Sequence, residues 1–395
     1  MALNILPGTQ GDGTNERRQN SLNYPLPKTA IPIKLSINTD SSWVYCNFPE
    51  NITDNTMLAD KSNVSLNRQV VKAGNVQIFY SHYNQLSANL HYGIRIYNPN
   101  STSVTITPTN YGHSDSEPGW SNASGCSWEN FFKGPNGCLI TSKTELKPNE
   151  SLWIMDKSIK LGVFSGNLRF STTKSVAVSV YAYFDRSKVG NATTIFSYDN
   201  AFSEVKNEEE RKKMKMVYSG LGEGFFFTAK QITLKASELL EKGGIYFSTH
   251  CRNYTPSYLM EVNKVEKSEL IPIHIAGTDK IAAVGKASPL HNVGNWCAQY
   301  YIPIRLENDL NYPVIFNGYM RTDVVKTKEN EIGSTFIISS GGNTTYGKVS
   351  NFKFDSWNWL NCKVPAKYSI DDVYQFIFGT NSTIPVNHIF TAKKA

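Results

Sequence analysis

The sequence is short of charge. Asp, Glu, Lys and Arg together make up 18% of its 395 residues, and a net charge of +7 is spread thinly over that length. The densest basic run, Arg211-Lys212-Lys213-Met214-Lys215, directly follows Glu208-Glu209-Glu210. Glu208 with Lys212 and Glu209 with Lys213 are i,i+4 partners, so the run reads as a solvated helical turn and not as a nucleic-acid patch. No stretch of about 18 apolar residues exists, so no helix is expected to cross a bilayer. The opening residues, Met1-Ala2-Leu3-Asn4, lack the basic start and apolar core of a signal peptide. HExxH, GxSxG and Walker motifs are absent, and so is any CxxC pair, which removes zinc-ribbon and thioredoxin readings. The seven histidines stand singly; His82, His91 and His113 are the three that folding could bring together. The expectation is a protein with no metal, no cofactor and no catalytic residue.

What is present is β-structure, with one pattern that occurs twice. Ile94-Arg95-Ile96-Tyr97-Asn98 is followed after five residues by Val104-Thr105-Ile106. Ile304-Arg305-Leu306-Glu307-Asn308 is followed after five residues by Val314-Ile315-Phe316. Each copy reads as strand, polar turn and strand, the signature of a β-hairpin, and the matched spacing predicts two related domains. Clean alternation recurs in Asn75 to Tyr80 and in Ser175 to Phe184, where Val176, Val178, Val180 and Ala182 share one face. The fold class expected is all-β: two β-sandwich domains joined by a short charged helical connector. The boundaries fall at 1–40 for a polar N-terminal arm, 41–199 for the first sandwich, 200–216 for the connector and 217–395 for the second sandwich. Within the second, Lys235 to Lys242 reads as one helical stretch with Gly243 as its C-cap.

The arm holds a strand-like piece with Ile31, Ile33, Leu35 and Ile37 alternating, and Pro32 suits it to a sheet edge. An unpaired strand of this kind can add to the sheet of a neighbouring subunit, and a flexible tail is the other reading of the segment. Six cysteines, Cys46, Cys126, Cys138, Cys251, Cys297 and Cys362, leave one odd thiol in each half. The Gly134-Pro135-Asn136-Gly137 turn brings Cys126 and Cys138 toward disulfide range, and buried thiols are the other reading. Trp357 and Trp359 are two apart on a strand, so they share a face. That face is either core packing or a platform for stacking on sugar rings.

The order of elements also resembles a known group. The run Lys174 to Val180, the strand opening at Tyr218-Ser219-Gly220, the segment Asn292-Val293-Gly294-Asn295-Trp296 and the Ile304 to Asn308 strand carry the likeness. It is similar to uncharacterised secreted modules of Firmicutes that accompany copper-amine-oxidase-N-terminal-like stalk domains. The resemblance spans about residues 43 to 320 and implies a non-enzymatic, extracellular or cell-surface role. It carries over no functional residue, copper or oxidase chemistry. The function expected is therefore a structural subunit of an extracellular, spore-surface or cell-surface assembly, forming homo-oligomers or filaments through sheet edges, the arm and disulfides. On that reading, loss of residues 1–40 should abolish assembly and leave both domains folded. The alternative is an adhesive or carbohydrate-binding module that meets a cell-surface glycan through Trp357 and Trp359.

Overall fold

The computed structural model describes residues 2–6, 24–33, 35–38, 40–47, 50–54, 63–117, 119–189, 219–249, 273–274, 297–322, 334–349, 356–379 and 386–395. The connector expected at 200–216, Cys251, His250 and His291 lie outside these residues. The described chain is all-β apart from two short helices and a 3-10 turn, and it divides into two compact units.

The arm contributes β1 (Thr29–Ala30) and β2 (Leu35–Ile37). Next come β3 (Ser42–Cys46), β4 (Asn51–Ile52), β5 (Asn63–Val71), β6 (Gly74–Asn84), β7 (Leu90–Tyr97) and β8 (Val104–Glu117). Helix α1 (Trp120–Phe131) is followed by β9 (Thr144–Leu146), β10 (Ser151–Ile159), β11 (Gly162–Thr172) and β12 (Val176–Tyr183). Then β13 (Ser219–Glu223), β14 (Phe226–Ala229), β15 (Ile232–Lys235), α2 (Ala236–Lys242), β16 (Ile245–Thr249) and β17 (Ile273–His274) follow. The chain closes with β18 (Gln299–Glu307), β19 (Val314–Thr322), β20 (Ser334–Ser340), β21 (Asn343–Val349), β22 (Ser356–Val364), β23 (Ser369–Phe378) and β24 (Val386–Lys394).

One unit, Asn38–Phe225 with Ile271–Asn292, is a sandwich. A sheet in the order β17-β13-β3-β6-β11-β8-β9, with β4 beside β6, faces a sheet in the order β10-β7-β12-β5. Alternating apolar side chains of both sheets meet in one core, among them Ile78, Ile106, Leu168 and Phe170 from the first and Ile94, Ile96, Val178 and Val180 from the second. The other unit, Met1–Ile37, Phe226–Leu270 and Val293–Ala395, pairs a sheet ordered β1-β16-β24-β19-β22 with one ordered β2-β14-β18-β23-β20-β21, β15 also lying on β18. Trp359 from its first sheet packs with Tyr374 from its second and edge-on to Phe390 of its own sheet, and His388 packs with Phe376 across the two sheets. These units revise the expected boundaries. The arm is part of the C-terminal unit, and the cut at 217 falls short of β13, which pairs with β3 of the N-terminal unit.

The repeated pattern is real, but it is not a hairpin. β7 pairs with β10 and β12, whereas β8 pairs with β11 and β9 in the opposite sheet. β18 and β19 separate in the same way. Each motif is thus an arch that carries the chain across the sandwich. Its physical basis is the asparagine where the turn was expected. Asn98 is buried, and its Nδ2 donates to the carbonyls of Thr102, Leu146 and Lys147 at 3.0, 3.0 and 3.1 Å. Asn308 is buried too, and its Nδ2 donates to Tyr312, Val364 and Pro365 at 2.8, 3.1 and 2.9 Å. In both, Oδ1 accepts the N–H two residues on, from Asn100 and from Leu310. The bound carbonyls lead into a left-handed residue at matching positions, Asn149 (φ 60) and Lys367 (φ 58).

The equivalence runs well beyond the arch. The sheet order β3-β6-β11-β8-β9 matches β1-β16-β24-β19-β22, with the first pair parallel and the others antiparallel in both. Likewise β7 with β10 matches β18 with β23, and register agrees: Tyr97 opposes Ser151 as Glu307 opposes Ser369. The matched strands also occur in the same sequence order. The units therefore share one underlying sandwich and differ in what flanks it. β12 lies antiparallel to β7, while β14 and β15 lie parallel to β18 in that place.

A second departure from expectation is α1. Its sequence, rich in Ser, Asn and Gly, is a weak helix former, and its N-cap makes no side-chain hydrogen bond. Tertiary contact supplies what propensity does not. Trp128 and Phe131 are buried, Asn110 Nδ2 donates to the Phe131 carbonyl at 3.0 Å, and Gly112 of β8 has no side chain to keep the helix off the sheet. Helix α2, by contrast, ends where its sequence indicates, with Gly243 left-handed at φ 67 and Gly244 N donating to Leu239 O.

Candidate functional site

The arm is the feature with the clearest geometry for association, and in this chain it is docked on its own C-terminal unit. Ile5 bridges antiparallel to Leu360 on β22, where Leu6 N donates to Trp359 O at 2.8 Å and Asn361 N to Asn4 O at 3.2 Å. At the other end of the same sheet β1 runs parallel to β16, and Ile31 N donates to Tyr246 O at 2.8 Å. Ile31, Ile33 and Leu35 are half-buried. β2 adds to the second sheet along β14, with Ile37 opposite Phe227 and Ser36 opposite Thr228. The N-terminal segment therefore covers three sheet edges with main-chain bonds. Edges left bare would be templates for pairing with other chains.

Between the strand contacts, side chains fix the segment's position. Tyr24 stacks on Tyr319 with ring centroids 4.3 Å apart, its carbonyl accepts from Arg321 Nη1 at 2.7 Å, and its N–H reaches Ser356 Oγ at 3.1 Å. Leu3 is buried and its N–H donates to Asp372 Oδ2 at 3.0 Å. Sequence reasoning placed the arm at 1–40 but gave it contacts only through Ile31, Ile33, Leu35 and Ile37, and so missed these contributions. The available signal was the apolar Leu3, Ile5 and Leu6 in an otherwise polar start.

The platform reading of the tryptophans is overturned. Trp357 and Trp359 are both fully buried. Trp357 packs against Gly347, and Trp359 packs against Gly318 and edge-on to Phe390. The period-two spacing was the packing of large rings into a sandwich, so neither ring is open to a sugar.

The expected Cys126–Cys138 disulfide is also absent, and no disulfide forms among the described residues. The turn at 134–137 does form, with Gly134 and Gly137 at positive φ, but it points Cys138 into the sandwich core while Cys126 sits half-buried on α1. Burial pushes the Cys138 thiol up to about 12, which keeps it protonated and unreactive. Cys46, Cys297 and Cys362 are buried.

The three histidines do not converge. His82 is buried with Nε2 2.9 Å from Tyr92 OH and 3.7 Å from Cys46 Sγ. Cys beside His is a nucleophile–base combination, but here all three groups are sealed in the core and burial raises the Tyr92 phenol well above its ordinary value. His113 bonds Tyr80 OH at 2.8 Å and Asp115 at 3.3 Å. His91 stacks on Tyr183 and lies 3.6 Å from Asp156. In the C-terminal unit His388 is held by Thr249 and Tyr374, and burial pushes its imidazole down to about 3, so the ring is neutral. Among the described residues no group of three His, Cys, Asp or Glu side chains is placed to hold a metal ion. Nor is any described helix long and apolar enough to cross a membrane.

No protein-family model and no curated protein matches the chain. Among solved structures, a variant of Bacillus subtilis oxalate decarboxylase aligns over 93% of this chain and 81% of its own at 7% identity and a TM-score of 0.16. The CUB1-EGF-CUB2 region of human MASP-1/3 aligns over 82% and 99% at 6% identity and a TM-score of 0.17. Vicilin from tomato aligns over 83% and 75% at 11% identity and a TM-score of 0.13. Similarity at this level carries no argument about fold or activity.

Proposed function

We infer that the protein is a non-enzymatic structural subunit that associates with copies of itself by exchanging its N-terminal segment. The observation that carries this reading is the segment's mode of attachment: it lies along three sheet edges and is bonded largely through the main chain. A strand added in this way fits equally well on the same edge of a second copy, so exchange preserves every contact and costs little. The low charge of the chain suits close packing of subunits. The expected setting is an extracellular, spore-surface or cell-surface layer.

The test uses Ser36 and Thr228, which oppose each other across β2 and β14 and are both exposed. Opposed antiparallel residues stand about 4.5–5.5 Å apart at Cα, within the span of a disulfide. Copies with only Ser36→Cys are mixed with copies with only Thr228→Cys under assembly conditions and then oxidised. Exchange predicts a reducible covalent dimer that neither variant forms alone. If the mixture yields no dimer while the double variant closes within one chain, the segment stays with its own subunit and the mechanism is wrong.

A further inference from the structure

We propose that the outer face of the β10-β7-β12-β5 sheet carries an oxoanion-binding site, built from Arg68, Arg95 and Ser179, that takes a carboxylate or sulfate group. This goes beyond the assembly reading and does not depend on it. Register puts the three residues in one row across three strands: Arg95 of β7 opposes Ser179 of β12, which opposes Arg68 of β5. Val178 and Val180 on either side of Ser179 point into the sandwich core, so the three side chains rise from the opposite face. Strands about 4.8 Å apart place the two arginine backbones about 10 Å apart with the serine midway. Two guanidinium forks on long stems can then close on one anion above the serine, the geometry in which arginine binds carboxylates and sulfates bidentately.

Three further observations point to a ligand. Ser179 is fully buried and its hydroxyl has no hydrogen-bond partner, and the buried Ser65 hydroxyl, in the neighbouring row opposite Tyr181, is also unpartnered. An unmet buried hydroxyl costs about 1–3 kcal/mol, a cost that an accepting anion oxygen would remove. Arg68 has no ion-pair or hydrogen-bond partner among the described residues. Asp156 of β10, an acid beside this row, is engaged already: it accepts from Tyr183 and pairs with Arg186 at 3.1 Å. Arg186 and Arg95 lie 5.1 and 5.7 Å from the centre of the Trp153 ring, which braces the arginine row. Gly93 lets that ring lie close to the sheet, since a Cβ there would come 2.5 Å from it.

The anion can be free or borne on an acidic saccharide, and calorimetric titration of the full chain separates these. The probes are sodium sulfate, a sulfated oligosaccharide and an oligouronate, with a neutral oligosaccharide as control. The parent should bind acidic probes and ignore the neutral one. Arg68→Gln and Ser179→Ala should each weaken binding, the former about tenfold. Tighter binding of either saccharide than of sulfate assigns the site to an acidic polysaccharide; equal binding assigns it to the free anion. A parent that binds none of the acidic probes, or both variants binding like the parent, would overturn the proposal. Ser179→Ala removes only an unpartnered hydroxyl and should keep the fold, so its result stands even if Arg68→Gln is poorly soluble.

Discussion

Asn98→Ala and Asn308→Ala are each expected to destabilise their own unit by about 3–5 kcal/mol, the cost of leaving several buried carbonyls without donors. Each side chain offers two amide hydrogens to three main-chain carbonyls and accepts an N–H through Oδ1, so no smaller residue can take its place. Aspartate keeps the acceptor but turns a second oxygen toward the carbonyls, and should be as damaging. Urea unfolding followed by tryptophan fluorescence resolves the two cases. Trp43, Trp128 and Trp153 report on the N-terminal unit, and Trp357 and Trp359 report on the C-terminal one. The arch interpretation predicts an early transition in the mutated unit only. A loss under about 1 kcal/mol at either site would mean that the arch is held by its strands and not by the asparagine.

Gly112→Ala should be nearly as severe. An added Cβ would stand 1.8 Å from the Ser127 carbonyl oxygen and 2.4 Å from the Phe131 nitrogen, both main-chain atoms of α1. Flexible side chains cannot absorb that overlap, so α1 must lift from β8 and give up the burial of Trp128 and Phe131. Overpacking of this kind costs about 3 kcal/mol, and a helix with so little intrinsic propensity has no independent stability to fall back on. Amide exchange across 120–131 should accelerate sharply while β10 and β12 keep their protection. Parent-like exchange in the helix would show that α1 does not depend on this close approach.

Much of the fold was legible because strands announce themselves by alternation. Val176, Val178, Val180 and Ala182 face the core as their period requires, and the Lys235 to Gly243 helix ends at its glycine. Pairing was not legible. The Asn98 and Asn308 segments carry the polar composition of a hairpin turn, and only the partners of the flanking strands reveal an arch. Those partners lie between 54 and 78 residues away in sequence, beyond any local signal. Helix α1 was hidden for a related reason: its Ser, Asn and Gly disfavour a helix in isolation, and the stabilising surface belongs to β8. For Trp357 and Trp359, spacing says that two residues share a face but not which face meets solvent.

The arm shows the same limit with a functional consequence. Alternation at Ile31 to Ile37 suggested one edge strand, whereas the segment forms two short strands, Thr29–Ala30 and Leu35–Ile37, on different sheets, and residues 2–6 and Tyr24 also join the C-terminal unit. Removing residues 1–40 would therefore strip strands from that unit, so point substitutions in the arm are the cleaner perturbation. Ile31→Pro deletes the N–H given to Tyr246 O, and Leu6→Pro deletes the one given to Trp359 O, while Thr29, Ala30 and β2 remain.

The most direct measurement is therefore the molar mass in solution by light scattering, over a concentration series, for the full chain and for the Leu6→Pro, Ile31→Pro variant. Subunit exchange predicts a mass of several chains for the parent that rises with concentration, and a shift toward a single chain for the variant. A single-chain mass for the parent at every concentration would contradict the assembly account.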